Sequence, residues 1–231
     1  MTGKEDDFSL YLKEWVAALP KMDGGSLLEF PEETAIVCVD VINGFCKAGP
    51  LASPRVAAIV SPIVKLFQQA WGVGCRNLFL IQDAHEPDAI EFGAFPPHCV
   101  RGTQEAETVL EIKALPFFDQ ITILEKNSID SGLNTGLEAW ITEHPQVNTY
   151  IVIGDCTDLC TYQLAMHLRL SANALQKQRR VLVPAACTDT YDTPIQIAQE
   201  IGAFAHPADF FHNTFLYHMA LNGVEVIKGI K

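Results

Sequence analysis

Short runs of apolar, mostly β-branched residues alternate along the chain with longer stretches in which apolar residues recur at helical spacing. The short runs predict strands at 35–40, 77–83, 121–126, 149–155 and 180–184. The longer stretches predict helices at 54–71, 104–113, 134–144, 158–176 and 194–203. Apolar strands that alternate with helices are typical of a parallel sheet covered on both faces. We therefore predict an α/β fold, with three α/β/α layers around a mostly parallel central sheet of about six strands.

Two further predicted helices, at 6–19 and 208–221, lie outside this alternation. The chain contains no internal repeat, no low-complexity segment and no linker rich in Pro, Gly or Ser that would separate two domains. We therefore predict a single domain over residues 1–231, in which residues 1–33 form an N-terminal helical extension. The longest irregular stretch is 84–103, and a loop of that length inside a compact domain is usually functional.

The composition limits the classes of partner. The chain is 48% hydrophobic and 19% charged, which is too apolar for disorder and too interrupted for a membrane span. The formal net charge of -12 argues against nucleic acid or anionic membranes as partners, because both need a basic surface. The N-terminus is acidic where a secretory signal would be basic, and the seven cysteines are scattered and odd in number. We therefore expect a cytoplasmic protein whose partners are small molecules or other proteins.

Reactive side chains stand at the carboxyl ends of four predicted strands. Asp40 ends the first strand, Asp83 the second and Lys126 the third, while Asp155 ends the fourth and leads toward Cys160. Ligands bind at the carboxyl ends of the strands in open parallel sheets. One polar residue at a strand end is common, but four chemically complementary residues at four ends favour a shared active site.

Cys160 lies at the start of a predicted helix, for which Thr157 and Asp158 are good N-cap residues. A helix N-terminus favours negative charge, and the ammonium group of Lys126 would lower the pKa of a nearby thiol further. A single cysteine near a helix start is more often a small buried hydrophobic residue. The accompanying acid and base reverse that judgement, so we interpret Cys160 as a nucleophile with Asp40 as the acceptor and later donor of its proton.

The segment GDCTDLC at 154–160 resembles the nucleophile segment of the isochorismatase-like cysteine hydrolases. That family uses an Asp-Lys-Cys triad, and its other two members match Asp40 in VDVINGF and Lys126 in EKNSI. The resemblance extends over nearly all of residues 34–225 and implies the Rossmann-like fold of that family.

The resemblance also implies two backbone features around the nucleophile. One is a non-proline cis peptide between Asp155 and Cys156, and the other is an oxyanion hole formed by the N–H groups of Cys156 and Cys160. This chain departs from the usual family pattern at a few positions, among them an acid where an apolar residue is common. These positions are Ile42, Gly44, Asp155 and Thr161.

The segment QDAHEPDAIEFGAFPPHCVRGTQEAE at 82–107 is similar to the metal-binding segment of the nicotinamidases. Asp83, His85 and His98 supply one carboxylate and two imidazoles, a set suited to zinc, iron or manganese with positions left for water and substrate. Many nicotinamidases carry a further His six residues after the first His ligand, where this chain has Glu91. The resemblance therefore implies Glu91 as a fourth ligand to one divalent metal ion, with zinc expected first and iron or manganese as alternatives.

The resemblance supplies a substrate as well. Phe45 in VINGFC and Phe95 in AFPPHC match the aromatic positions with which the family encloses a pyridine ring. The implied function is a metal-assisted cysteine amidohydrolase that converts nicotinamide and water to nicotinate and ammonia through a thioester on Cys160. A role in NAD salvage and assembly into a homo-oligomer are implied in the same way.

Three alternatives stay open from the sequence. The nearest is a related cysteine hydrolase of another small amide, such as a pyridine carboxamide or an N-carbamoyl compound, which an empty metal site would favour. The second is a thiol redox protein that uses Cys156 and Cys160, a pair that peroxide titration would detect. The third is a binding or scaffold protein that kept the fold without catalysis, against which the complete triad argues.

Overall fold

The computed structural model describes the backbone of residues 2–231 and the side chains from Asp7 onward, so that Met1 of the predicted extension lies outside the described residues. The strands are β1 (Lys21–Met22), β2 (Thr34–Val39), β3 (Asn77–Asp83), β4 (Thr122–Lys126), β5 (Thr149–Asp155), β6 (Arg180–Pro184), β7 (Thr188–Asp189), β8 (Glu225–Ile227) and β9 (Gly229–Ile230). The α-helices are α1 (Thr2–Ala17), α2 (Gly24–Leu27), α3 (Asn43–Cys46), α4 (Pro54–Gly72), α5 (Leu110–Lys113), α6 (Leu137–Glu143), α7 (Cys160–Ala174), α8 (Ile195–Ile201) and α9 (Ala208–Leu221). Short 3₁₀ helices lie at Pro31–Glu33, Ile90–Gly93, Gln104–Ala106, Phe118–Gln120 and Ala185–Cys187.

The main sheet has the predicted parallel architecture. Its strands follow the order β4-β3-β2-β5-β6-β8, with β7 paired to the carboxyl end of β5. Every neighbouring pair in this sheet runs parallel. All five predicted strands are present, with bounds within one residue of the prediction. The sequence did not predict β1, β7, β8 and β9, because each has only two or three residues and so shows no periodicity.

Helices cover both faces of the sheet, which confirms the three-layer prediction. Side chains of successive residues in a strand point to opposite faces, and β2 shows this within a few residues. Ile36 and Cys38 pack in the core beneath α4, whereas Val37 and Val39 pack in the core beneath α6, α7 and α9. Because every residue of β2 is buried, the strand reads as a continuous apolar run rather than an alternating one.

The prediction of one continuous helix at 104–113 is wrong at residues 107–109. The structure has a 3₁₀ turn, then an extended segment at 107–109, and then α5. The extended segment pairs with the backbone that follows β2: Asn43 donates to the carbonyl of Glu107, and Val109 donates to the carbonyl of Val41. This pairing satisfies backbone groups across the chain instead of within a helix, and it fixes the turn that carries Asp40.

The N-terminal segment packs against the C-terminal end of the chain. The ring of Trp15 in α1 meets the ring of Tyr217 in α9 edge-on, with centroids 5.2 Å apart. β1 pairs with β9, and the N–H of Lys228 donates to the carbonyl of Pro20 at 2.8 Å. Within residues 2–231, none of these helices combines the length and the hydrophobicity that crossing a membrane requires.

Gly154 allows β5 to approach the end of β2, and we expect Gly154→Ala to lower the free energy of unfolding by about 3 kcal/mol or more. Its φ is +118°, and an added Cβ would clash with the backbone of Val39, lying 2.7 Å from the nitrogen and closer still to the oxygen. Neither backbone can move without breaking the pairing of β2 with β5. Chemical denaturation of both proteins measures the loss.

The matched control is Gly72→Ala, at the last residue of α4, where an added Cβ would meet no atom within 4 Å. We expect that variant to be neutral or to gain up to about 1 kcal/mol, because alanine favours the helix. Equal stability of the two variants would contradict the close approach at Gly154.

Candidate active site

The predicted triad comes together at the carboxyl edge of the sheet. Asp40 directly follows β2, Lys126 is the last residue of β4, and Cys160 is the first residue of α7. The Nζ atom of Lys126 lies 2.8 Å from Oδ2 of Asp40 and 3.4 Å from Sγ of Cys160. All three residues are buried, so a base, a cation and a thiol face one another in a site that largely excludes water.

Asp40 is held in position by its backbone and by its neighbour on β3. Its φ of +56° lies in the left-handed region, which aspartate tolerates better than most residues. The N–H of Asp83 donates to Oδ1 of Asp40 at 2.8 Å, which leaves Oδ2 to face Lys126. Burial, followed by the charge of Asp83, raises the pKa of Asp40 to about 6 despite the opposing effect of Lys126. The carboxyl is therefore a stronger base than an exposed aspartate.

The expectation of a lowered pKa at Cys160 is wrong for this site. Burial raises the pKa of the Cys160 thiol well above its ordinary value, and the charges of Asp40 and Asp83 add to the rise, whereas Lys126 opposes it. The proton therefore resides on sulfur in the resting site. The role of Asp40 follows from this, because the thiol needs a neighbouring base at the moment of attack.

The helix start around Cys160 also differs from the prediction. The N-cap residue of α7 is Leu159, whose side chain makes no capping hydrogen bond. Thr157 and Asp158, predicted as caps, turn instead toward the C-terminal part of the chain. Thr157 Oγ1 pairs with Nδ1 of His212 at 2.8 Å, and Oδ2 of Asp158 pairs with Nε2 of His206 at 2.7 Å.

His206 and His212 are therefore supporting residues that the sequence did not indicate. The ring of His206 is stacked between Tyr191, at a centroid distance of 3.9 Å, and Phe211, at 4.1 Å. Tyr191 in turn lines the active-site cavity. Asp158 of the nucleophile segment and Tyr191 of the cavity wall thus both contact His206. His206 is distant from Cys160 in sequence, so a local motif around Cys160 does not predict this contact.

Two backbone donors lie free beside the nucleophile. The peptide between Asp155 and Cys156 is cis, as the resemblance implied. Within residues 7–231, the N–H groups of Cys156 and Cys160 donate to no backbone or side-chain acceptor. Free N–H groups on either side of the thiol are what an oxyanion hole requires.

A second cluster of acid and imidazole groups adjoins the triad. Ligand atoms of Asp83, His85 and His98 all lie within 4.8 Å of one another, and all three residues are buried. Oδ1 of Asp83 contacts Lys126, while its Oδ2 lies 3.5 Å from Nε2 of His85 and 3.8 Å from Nε2 of His98. Asp83 therefore joins the two clusters, because one carboxylate oxygen serves each.

The nitrogen and oxygen atoms of this cluster are arranged as a metal ion would require. Nε2 of His85 is buried without any hydrogen-bond partner among the described residues. Its Nδ1 pairs with Oδ1 of Asn127 at 2.8 Å, and Nδ1 of His98 pairs with the carbonyl of Pro96 at 2.8 Å. Outer hydrogen bonds of this kind fix the Nδ1–H tautomer and leave the Nε2 lone pairs for a ligand. Two imidazole nitrogens and one carboxylate suit zinc, iron or manganese.

Glu91 stands at the edge of this cluster. Its Oε1 lies 3.9 Å from Nε2 of His85, and it lines the same cavity. It is not one of the three residues whose ligand atoms are mutually within 4.8 Å. A fourth protein ligand at Glu91 therefore stays a prediction.

Asp40 and Cys160 of the triad line one cavity together with Asp83 and His98 of the cluster. Phe45 and Phe95, the two predicted aromatic residues, both line it, and the ring centroids lie 5.6 and 6.2 Å from that of His98. Asp155, which ends the fourth predicted strand, also lines the cavity, as do four residues that the sequence did not indicate, Leu51, Ile129, Leu159 and Tyr191. The aromatic and apolar side chains in this wall suit the faces of a planar ring.

The chain is similar to known proteins both in sequence and in fold. Residues 34–228 match the family model of the isochorismatase domain. The chain is 30% identical over 221 residues to Nicotinamidase 1 of Arabidopsis thaliana, which covers 88% of this chain and 89% of that protein. The pyrazinamidase/nicotinamidase of Streptococcus mutans shares the fold at 21% identity and a TM-score of 0.65, over 84% of this chain and 99% of that one. The pyrazinamidase of Pyrococcus horikoshii in complex with zinc does so at 20% identity and a TM-score of 0.65, over 85% and 99%.

Proposed function

The chain belongs to the isochorismatase family and is an amidohydrolase, and from that premise we propose that it hydrolyses nicotinamide to nicotinate and ammonia with Cys160 as nucleophile. The observation that carries the proposal is the position of Lys126. Its ammonium group contacts Asp40 and Asp83 and approaches Cys160, so it joins the nucleophile, the base and the metal-binding cluster in one site. The similarity to an Arabidopsis nicotinamidase supports the choice of substrate.

The proposed reaction starts with proton transfer from Cys160 to Asp40. The thiolate attacks the amide carbon, and the N–H groups of Cys156 and Cys160 hold the developing oxyanion. Asp40 returns the proton to the departing nitrogen, so that ammonia leaves and a thioester forms on the sulfur. Asp40 then accepts a proton from the water that attacks the thioester. As the carbon–sulfur bond breaks, Asp40 returns this proton to sulfur and restores the thiol, and the product acid loses its proton to solvent and leaves as nicotinate. Lys126 balances the charge of Asp40 throughout.

We assign Asp83, His85 and His98 as the residues that would hold one divalent metal ion, with zinc as the first candidate and iron or manganese as alternatives. A bound metal would act as a Lewis acid that orients and polarises the substrate. The contribution of the protein is to hold both Nε2 atoms near Oδ2 of Asp83 through the hydrogen bonds to Asn127 and Pro96. Phe45 and Phe95 would enclose the ring and keep the carboxamide near Cys160.

The test is ammonia release from nicotinamide by the purified, folded protein, with metal content determined on the same sample. We expect turnover and about one equivalent of metal. His98→Ala should weaken metal binding about 10-fold to 100-fold or more, because it removes one of three ligands. The control is His144→Ala, at the end of α6, where Nδ1 bonds only the carbonyl of Trp140. That variant should bind metal as the wild type does.

No ammonia from a folded, metal-loaded protein would reject nicotinamide as the substrate. The cysteine-hydrolase assignment would then be tested on other pyridine carboxamides and on N-carbamoyl compounds. Equal metal loss from His98→Ala and His144→Ala would reject the metal site. A homo-oligomer, a cytoplasmic location and a role in NAD salvage stay predictions from the sequence.

A further inference from the structure

Asp155, the last residue of β5, is a buried acid that the proposed reaction does not use. It is 1% exposed, the thiol of Cys156 lies beside it, and neither of its carboxyl oxygens pairs with a nitrogen or oxygen atom of any described residue. It lines the active-site cavity together with Asp40 and Cys160. Because buried polar groups in proteins are nearly always paired, a carboxyl in this condition points to a partner that the protein itself does not supply.

The surroundings of Asp155 favour the neutral acid. Burial raises the pKa of Asp155 well above its ordinary value against the opposing effect of the Cys156 thiol, and the nearby charges of Asp40, Asp158 and Asp189 raise it further. Lys126, the cation of the triad, forms its ion pairs with other carboxylates. A protonated carboxyl has one O–H that donates and one oxygen that accepts, so Asp155 presents a donor and an acceptor side by side.

A plain aromatic ring does not match this group. The cavity walls that would enclose a ring are mostly apolar, formed by Phe45, Leu51, Phe95, Ile129 and Leu159. A ring edge against Asp155 would leave the carboxyl buried and unpaired, which is costly, whereas a polar substituent there would satisfy both of its hydrogen-bonding atoms. Sites built to bond a polar substrate group discriminate strongly against analogues that lack it.

We propose that Asp155 is a specificity-determining residue that selects planar amides carrying a second polar group, one that both donates and accepts a hydrogen bond, such as a hydroxyl or a second carboxamide. This inference rests on the proposed amide hydrolysis at Cys160 and names the class of substrate for that site. The scissile amide lies at the nucleophile, and the second group lies at Asp155.

The experiment compares kcat/KM for nicotinamide, for nicotinamides with a hydroxyl at each free ring position, and for pyridine dicarboxamides. We expect the wild type to prefer at least one substituted amide over nicotinamide by about tenfold or more. Asp155→Val should lose that preference, and Asp155→Asn, which keeps a donor and an acceptor, should retain most of it. The same ligands titrated into the Cys160→Ala protein separate binding from chemistry, and the preference should appear there as a difference in Kd.

The outcomes distinguish this inference from the proposed function. Turnover of nicotinamide with no preference for any substituted amide would overturn the inference alone. Substrate ratios that stay within about twofold of wild type in folded Asp155→Val would overturn it as well. If the folded, metal-loaded wild type hydrolyses none of these amides, the proposed function and the inference fail together.

Discussion

Cys160→Ala is expected to reduce kcat for amide hydrolysis by about 10⁴-fold or more, while the protein stays folded. The substitution removes the sulfur that forms the thioester, and Asp40 and the free backbone N–H groups cannot replace it as a nucleophile. Alanine at this buried position of the triad removes only the thiol and leaves the backbone donors in place. Ammonia release under saturating substrate, with the unfolding midpoint measured in parallel, separates lost chemistry from lost fold.

The matched control is Cys156→Ala, which removes a second buried thiol four residues earlier. Only the backbone N–H of Cys156 takes part in the proposed reaction, so we expect its loss of activity to be at least about 100-fold smaller than that of Cys160→Ala. Equal losses in the two variants would instead support the redox alternative, in which both thiols are required.

The location of the active site could be predicted because it follows from strand order and strand ends. Asp40 and Asp83 stand at the ends of buried strands, and Lys126 ends the largely exposed edge strand β4. β2, β3 and β4 are neighbours in one parallel sheet. Parallel strands bring their carboxyl ends to one edge whatever the loops between them do. The local pattern of the sequence was therefore sufficient for these residues, and the resemblance of segment 82–107 to the nicotinamidases added the adjoining cluster.

The chemical state of the site could not be predicted in the same way. The pKa of Cys160 depends on how completely the thiol is buried, and burial is set by elements far from it in the chain. The roles of Thr157 and Asp158 depend on His212 and His206, which lie 55 and 48 positions away. Helix-capping preferences consider only residues that are close in sequence, so they assigned both residues to the N-cap and did not predict their contacts with the distant histidines.

Lys126→Met is expected to lower the free energy of unfolding of the metal-free protein by about 3–5 kcal/mol, because it leaves uncompensated charge in the interior. Lys126 is the shared partner of Asp40 and Asp83, and all three side chains are almost completely buried. Methionine preserves the length and the packing of the side chain but not its charge. Denaturation of chelator-treated protein at pH 8 measures the loss without a metal ion that would compensate Asp83.

The matched control is Lys47→Met, which breaks a half-exposed pair with Glu111 at 2.9 Å. Water screens that pair, so we expect it to cost less than about 1 kcal/mol.

The pH dependence of the stability loss provides a second readout. Without Lys126, the carboxyls of Asp40 and Asp83 hold protons in the folded protein that the unfolded chain releases. The loss in free energy of unfolding caused by Lys126→Met should therefore shrink as the pH falls from 8 to 5. If Lys126→Met loses as little stability as Lys47→Met, or if its loss does not depend on pH, a group other than Lys126 neutralises the carboxylates of Asp40 and Asp83. The same result would remove the reason for assigning Lys126 the task of balancing Asp40 during catalysis.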